Sequence, residues 1–344
     1  MNDLFKIIAE DTEKIIKEVN LNEIKGKTIL ITGASGIVGN YLLASLWQTL
    51  NSDPARTKVI AIMQNDLLPC LKKLFDYEGA KIVNGDLSEY SFLRDLPNAD
   101  YIIHAAGYGQ PGKFMENPTK TLKLNTLATF ILFDKLNTGG KFLFISSSEV
   151  YSGNKNFPYK ETEIGKTNTD HQRSCYIEAK RCGEAICNAQ RIKGINAKSV
   201  RLSLAYGPGT KPNDQRVLNS FIQKAIESKE IKLLDKGEAK RTYCYITDAV
   251  EIMWHVLLNG KEAIYNIGGE SKTTISELAK KIGRYMDVPV IFPKSSENTL
   301  SGAPEDVCLD MKKVKNEFNK SNFTSLDEGL KKTIEWQKIL YKNN

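Results

Sequence analysis

Lys27-Thr28-Ile29-Leu30-Ile31-Thr32-Gly33-Ala34-Ser35-Gly36-Ile37-Val38-Gly39 is the stretch on which the fold turns. Its first six residues make a short apolar run that reads as a buried strand. Glycines follow at GxxGxxG spacing, and Tyr41, Leu42, Leu43 and Leu46 continue as an apolar helical run. The first glycine permits a tight turn, the second lets backbone approach a pyrophosphate, and the third lets helix pack on strand. The helix N-terminus then faces the phosphates. A glycine-rich turn alone is also a plain strand-to-helix connection; the strand before it and the helix after it support the dinucleotide reading.

Outward from this unit, strand patterns recur at residues 58–63, 81–83, 101–106, 141–145 and 197–202, with helical stretches between most of them. That alternation predicts an α/β fold built on a Rossmann-type, doubly wound parallel sheet. From about Gly207 the pattern is more broken, with helices expected at 217–228 and 275–285 and a strand near 231–234. This reads as a smaller, discontinuous α/β lobe over the substrate. The expected organisation is a helical extension over residues 1–24, a cofactor domain over 25–205 and a substrate lobe over 206–344 with some return to the first domain. In the extension, Leu4, Ile7, Ile8, Ile15 and Val19 form one stripe amid mixed charges, which fits a helix packed on the body or on a partner subunit better than a membrane anchor.

The chemistry is concentrated in residues 146–180. Ser146-Ser147-Ser148-Glu149-Val150-Tyr151 closes an apolar strand, and Tyr176-Ile177-Glu178-Ala179-Lys180 opens a helix. A tyrosine and a lysine four apart share a helix face, so the ammonium is expected to stabilise a phenolate and pull the phenol below its ordinary pKa of about 10. Serine hydroxyls at the strand end can reach the same point, and together the segments describe a device for oxidising an alcohol.

Composition fits an enzyme with a large core. The chain has 344 residues, 41% hydrophobic and 26% charged, and a formal charge of +7. The lysines are scattered without a basic, aromatic-interleaved stripe, which argues against nucleic acid. No apolar run reaches the roughly 20 residues of a membrane span, and acidic Asp3, Glu10, Asp11 and Glu13 stand where a secretory signal would be basic, so a cytoplasmic location is the expectation. Six cysteines make no CxxC pair and three histidines lie far apart, so neither a metal site nor a disulfide framework is expected. Cys175, beside Tyr176, reads as a packed thiol rather than a reactive one.

From Gly26 to about Gln337 the chain resembles an extended short-chain dehydrogenase/reductase of the nucleotide-sugar epimerase, dehydratase and decarboxylase group. Gly33, Gly36 and Gly39 match its dinucleotide turn, with Ser35 and Ile37 between them. Gly85-Asp86-Leu87 matches the element whose aspartate contacts adenine. Ala105-Ala106-Gly107 matches the strand end lining the cofactor, and Asn125 a structural asparagine. Ser147, Tyr176 and Lys180 match the catalytic trio. Tyr206-Gly207-Pro208 matches the turn opening the substrate lobe, and Arg241 an arginine that approaches the diphosphate.

The resemblance implies a nucleotide-diphosphate sugar substrate, a retained cofactor and transient oxidation at sugar C4. Tyr176 would take the C4 hydroxyl proton, Ser147 steady the developing carbonyl, and Lys180 tune the tyrosine and hold the nicotinamide ribose. Asp86, Leu87, Ala105, Ala106, Gly107 and Asn125 would line the cofactor. NAD is favoured by the redox-neutral cycle, with Gln64 at the ribose position; NADP stays open because no acidic residue ends that strand. A homodimer through a helical bundle is also implied.

Glu149 separates the reactions. Dehydratases and UDP-glucuronate decarboxylases carry a glutamate there, with an aspartate before it in many dTDP-glucose dehydratases, where this chain has Ser148. The Ser-Glu pair is more similar to UDP-glucuronate decarboxylases and to GDP-mannose dehydratases, while the segment 104–118 and the run 214–222 are most similar to the decarboxylase branch, with Arg216 expected on the nucleotide or its phosphates. Two departures stand against this. Val307 falls where decarboxylases direct an arginine at the glucuronate carboxylate, and Leu204 replaces a sugar-nucleotide-binding asparagine. The alternatives are thus a lyase-type enzyme (decarboxylase-like or 4,6-dehydratase), a 4-epimerase or 4-keto reductase, and, last, a non-catalytic NAD-binding protein. Glu149 pairing merely with a nearby lysine is the structural alternative for that residue.

Overall fold

The computed structural model describes residues 3–50, 57–293 and 306–342. In chain order its strands are β1 (Thr28–Thr32), β2 (Lys58–Met63), β3 (Ala80–Asn84), β4 (Ala99–His104), β5 (Leu136–Ser147), β6 (Asn196–Leu202), β7 (Ala205–Tyr206), β8 (Ile231–Lys232), β9 (Lys240–Tyr245), β10 (Ile264–Ile267), β11 (Ser271–Thr274), β12 (Val290–Ile291) and β13 (Asp306–Val307). Seven of them form one sheet in the order β10-β6-β5-β4-β1-β2-β3. Every pairing within it is parallel. This is the expected doubly wound sheet, widened by β10 at one edge.

Helices cover both faces, so the inner strands must be apolar on both sides. In β1 only Thr28 is part-exposed, and in β2 only Lys58 reaches solvent. β3, at the free edge, keeps no residue fully buried. β4 ends at His104, two residues sooner than the sequence pattern suggested, which leaves Ala105, Ala106 and Gly107 as a turn over the sheet's C-terminal rim.

The smaller lobe is organised around β9, which pairs antiparallel with β11 and parallel with β13 and β7. β8 and β12 form a separate two-stranded parallel ladder. Helix Ile275–Met286 begins with a capping box between Thr274 and Glu277.

Helix Asp3–Glu18 lies against helices Ile37–Leu50, Ile246–Asn259 and Leu326–Lys342. Leu4, Phe5, Ile8, Ile15 and Val19 are buried, and Ile7, placed on the stripe by periodicity, is only half-buried. The same interface encloses a carboxylate. Asp11 is fully buried and accepts hydrogen bonds from the Tyr41 hydroxyl at 2.9 Å, from the Tyr245 hydroxyl and from the Lys332 ammonium. Those donors come from the helix behind the glycine turn, from the end of β9 and from helix Leu326–Lys342. An Asp11→Ala protein leaves all three without their acceptor and should lose on the order of 3 kcal/mol, read as a lower midpoint in urea unfolding with an unchanged slope.

Candidate active site

The C-terminal rim of β1 and β4 is where strand order reverses, and the two ends touch there. Gly33 has φ +67°, and a Cβ on it would lie 2.6 Å from the Ala105 carbonyl oxygen. A Cβ on Gly39 would lie 2.5 Å from the Ala34 Cα. Gly36 is the open member of the set, exposed, its N–H donating to the Gly33 carbonyl at 3.0 Å. Ser35 is buried beneath the turn, and half-buried Ile37 opens the helix. Two glycines thus serve close backbone packing, while the middle one stays exposed at a helix N-terminus. The fit to a dinucleotide pyrophosphate is good.

A histidine fixes this junction. His104 is buried, with Nδ1 2.7 Å from the Thr32 hydroxyl and Nε2 2.8 Å from the Leu124 carbonyl. A carbonyl only accepts, so Nε2 carries the proton and Nδ1 accepts from Thr32. The Thr32 oxygen in turn accepts the Ala106 N–H at 3.1 Å. Burial drives the imidazole pKa down to about 4, which keeps the ring neutral.

At the far end of the cleft, Gln64 donates to Asp86 at 3.1 Å, and Asp86 also accepts from the Ser88 N–H at 2.9 Å, the Ser88 hydroxyl at 2.8 Å and the Lys120 ammonium. Burial works against the Asp86 charge, but the Lys120 and Ser88 hydrogen bonds outweigh it and hold the carboxyl below its ordinary range. Leu87 is buried beneath it. Lys120 was invisible to motif reading because it lies on a helix surface, 34 residues from its partner.

Tyr176 and Lys180 share the buried face of helix Ser174–Ile192. Ser147 hydrogen-bonds the Tyr176 phenol, and Phe114 stacks on its ring with centroids 4.5 Å apart and planes 8° from parallel. The Lys180 ammonium lies 5.7 Å from the Tyr176 ring centre, donates to the Ile145 carbonyl at 2.7 Å and sits 5.0 Å over the Phe144 ring. The expected lowering of the phenol pKa by its lysine is not what these surroundings produce. Burial pushes Tyr176 up to about 12 against the opposing Ser147 hydrogen bond, and pushes Lys180 down to about 7. Next to the ammonium, a Cβ on Gly107 would lie 3.6 Å from Lys180 Nζ and 3.8 Å from Asn125 Oδ1. That Asn125 oxygen is buried without a hydrogen-bond partner, while its amide nitrogen donates to Thr121. An orphaned acceptor beside a bare glycine suits a ligand carrying a donor. Cys175 is a packed thiol, donating to the Phe114 carbonyl at 3.6 Å with its pKa raised by burial.

Beyond Ser147, the chain enters a single 3-10 turn, Ser148–Tyr151, and the Glu149 N–H donates to the Ser147 hydroxyl at 3.2 Å. The Glu149 carboxylate pairs with Arg173, not with a lysine. Arg173 stands three residues before Tyr176, its guanidinium 5.4 Å from the Phe114 ring centre and its Nε buried without a partner. Sequence reading passed over it because an arginine at a helix start carries no motif. Both charges are felt at the Tyr176 phenol, Glu149 raising and Arg173 lowering its pKa. Arg241 belongs to the same group: burial lowers its pKa, and the charges of Asp306, Glu149 and Arg173 act on it. Val307 is paired with Arg241 across β13 and β9.

The remaining candidates are placed less directly. Ser148 is half-buried beside Glu149. Arg216 is forked onto Asp214, with Nε at 2.9 Å and Nη2 at 2.6 Å, and its Nη1 donates to the Ala205 carbonyl at 3.3 Å. Leu204 has φ +43°, the left-handed region where asparagine is comfortable and leucine is strained. The backbone therefore keeps a shape suited to asparagine, while the side chain packs partly against the core and offers no hydrogen bond.

The buried His104 makes stability depend on pH. The unfolded ring takes a proton below its ordinary value of 6.5 and the folded ring only below about 4, so stability falls as pH drops through that window. Between pH 6.5 and 5, His104 should cost about 2 kcal/mol of stability, and urea unfolding of a His104→Gln protein should lack that part of the slope.

Residues 29–268 match the NAD dependent epimerase/dehydratase family. UDP-glucuronic acid decarboxylase 1 of Xenopus tropicalis is 28% identical over 321 residues, spanning 92% of this chain and 73% of that protein. Among solved structures, the UDP-glucose 4-epimerase of Thermotoga maritima, determined with UDP-glucose, aligns with a TM-score of 0.77 at 24% identity over 90% of this chain and 98% of its own. A dTDP-glucose 4,6-dehydratase of Streptomyces venezuelae, determined with NAD, gives 0.77 at 21% identity over 92% and 97%. The two solved structures share the fold while performing different reactions. Glycine turn, buried Tyr-Lys pair and family match agree, and the chain belongs to the NAD-dependent epimerase/dehydratase family.

Proposed function

We propose that the protein is an NAD-dependent nucleotide-sugar enzyme of the lyase type that decarboxylates a sugar carrying a C6 carboxylate. The observation that carries this reading is the Glu149–Arg173 ion pair beside Tyr176. Loss of water from C6 needs a proton donor on the departing oxygen. An ion-paired carboxylate is an acceptor, and Ser148, in the place of an acidic residue, is a weak acid. Loss of carbon dioxide needs no such donor. The relatives named as UDP-glucuronic acid decarboxylases support the same choice.

The glycine turn at Gly33, Gly36 and Gly39 receives the pyrophosphate, the Asp86–Lys120–Gln64 group the adenosine end, and Gly107, Asn125 and Lys180 the nicotinamide end. Bound NAD supplies a reversible hydride acceptor at C4. Once Tyr176 has given up its own proton, its phenolate, made strongly basic by burial, accepts the C4 hydroxyl proton, and Ser147 holds the oxygen. Once C4 is a ketone, the C6 carboxylate is a β-keto acid. Its C5–C6 bond breaks, the electron pair moves toward the C4 oxygen held by Ser147 and Tyr176, and carbon dioxide leaves. C5 would then take a proton from water, and return of the hydride to C4 with the Tyr176 proton to the C4 oxygen would leave the cofactor oxidised again.

Val307 favours a second reading, a 4-epimerase, because no cation stands where decarboxylases carry their late arginine. Product masses separate the two. Purified protein given UDP-glucuronate should release carbon dioxide, Tyr176→Phe should slow this at least ~10²-fold, and an unchanged product mass identifies the epimerase instead.

We also propose a homodimer through helices Pro118–Asn125, Leu127–Asp134 and Ser174–Ile192, which leave Leu122, Phe130 and Ile192 exposed. Light scattering should give twice the chain mass, and Phe130→Glu should halve it.

A further inference from the structure

We propose that Arg173 reads the sugar's C6 carboxylate, doing from the start of helix Ser174–Ile192 what the apolar Val307 cannot. The inference rests on the lyase reading above and names the side chain that gives it substrate selectivity.

Four observations converge on this residue. First, Val307 is buried and hydrocarbon, so its strand position offers a carboxylate no hydrogen bond. Second, Arg173 is next to the reacting atoms. The C4 oxygen must lie against the Tyr176 phenol and the Ser147 hydroxyl, and C6 is only two bonds from C4. The Ser147 hydroxyl accepts the Glu149 N–H at 3.2 Å, and Glu149 is paired with Arg173, so the guanidinium is one side chain away from C6. Third, Arg173 retains donors. A guanidinium carries five N–H groups in a planar fork, Glu149 engages Nη2, and Nε is buried with no partner. A buried unsatisfied donor beside a reaction centre is costly to keep, and a bound carboxylate satisfies it. Fourth, Arg173 is held in place without consuming those donors, because its guanidinium rests 5.4 Å from the ring centre of Phe114, the ring stacked on Tyr176.

Arg241 is the natural rival, being the register partner of Val307 and within the same electrostatic group. Its Nη1 donates to the Lys240 carbonyl at 2.8 Å. An arginine serving the diphosphate acts on every sugar nucleotide alike, whereas one serving C6 distinguishes an acid from an alcohol. That difference makes Arg241 the control.

The test is calorimetric binding of UDP-glucuronate and of UDP-glucose to the NAD-saturated protein, for wild type, Arg173→Met, Arg173→Lys and Arg241→Met. Wild type should prefer UDP-glucuronate. Arg173→Met should weaken UDP-glucuronate by roughly 30-fold and leave UDP-glucose within about twofold, which also shows that the site is still folded. Arg173→Lys should recover part of the loss, and Arg241→Met should weaken both sugars equally. If wild type prefers UDP-glucuronate and Arg173→Met keeps that preference, the assignment of Arg173 is overturned while the lyase reading stands. Wild type that shows no preference, or binds neither sugar, overturns both.

Discussion

The hydrogen bond from Thr32 to His104 is the constraint on which the rest of the cleft depends. It joins the ends of β1 and β4 at the point where strand order reverses, and it brings Gly33 so close to Ala105 that no side chain fits between them. The opposite nitrogen of the ring holds the Leu124 carbonyl, which sets the neighbouring Asn125 against Gly107 and Lys180. One neutral imidazole therefore fixes the spacing between the glycine turn and the polar corner at Asn125, Gly107 and Lys180. A charged ring could not do this, because protonated Nδ1 would no longer accept from Thr32.

Burial, more than pairing, sets the properties of Tyr176 and Lys180. Tyr176 is covered by Phe114, and Lys180 lies over Phe144, so each is pushed toward its neutral form. Burial thus favours the protonated phenol and disfavours the charged form of the lysine. Substrate and cofactor then add the charges and hydrogen bonds that decide when the proton moves. The Glu149–Arg173 pair contributes opposite influences on the same phenol, so any group that competes for Arg173 also acts on Tyr176.

Much of this was legible in the sequence, for a physical reason. Strands buried on both faces must be nearly continuous apolar runs, and backbone contacts as close as Gly33 on Ala105 admit only glycine, so the sheet and the turn leave a literal imprint. The spacing of Tyr176 and Lys180 is equally literal, because helix geometry puts them on one face. Arg173, Lys120 and Asp11 were not legible in these roles. Each acts through a partner many residues away, and a single charged side chain on a helix looks like a solvated one until the fold closes around it. The direction of the Tyr176 shift was misjudged for a related reason: the lysine is visible in the sequence, but the extent of burial is not. Leu204 shows the reverse case, a left-handed backbone position that a leucine in the sequence does not announce.

The buried Asp11 carries a kinetic consequence. Its partner Lys332 lies 321 residues away along the chain, and Tyr245 lies 234 away. Contacts of such separation close very long loops, whose closure entropy must be spent before the contacts can reward it. Interactions absent from the folding transition state act on the rate of unfolding rather than of folding. A clasp of this kind, if it closes after the transition state, lengthens the lifetime of the folded chain without changing the speed of its assembly.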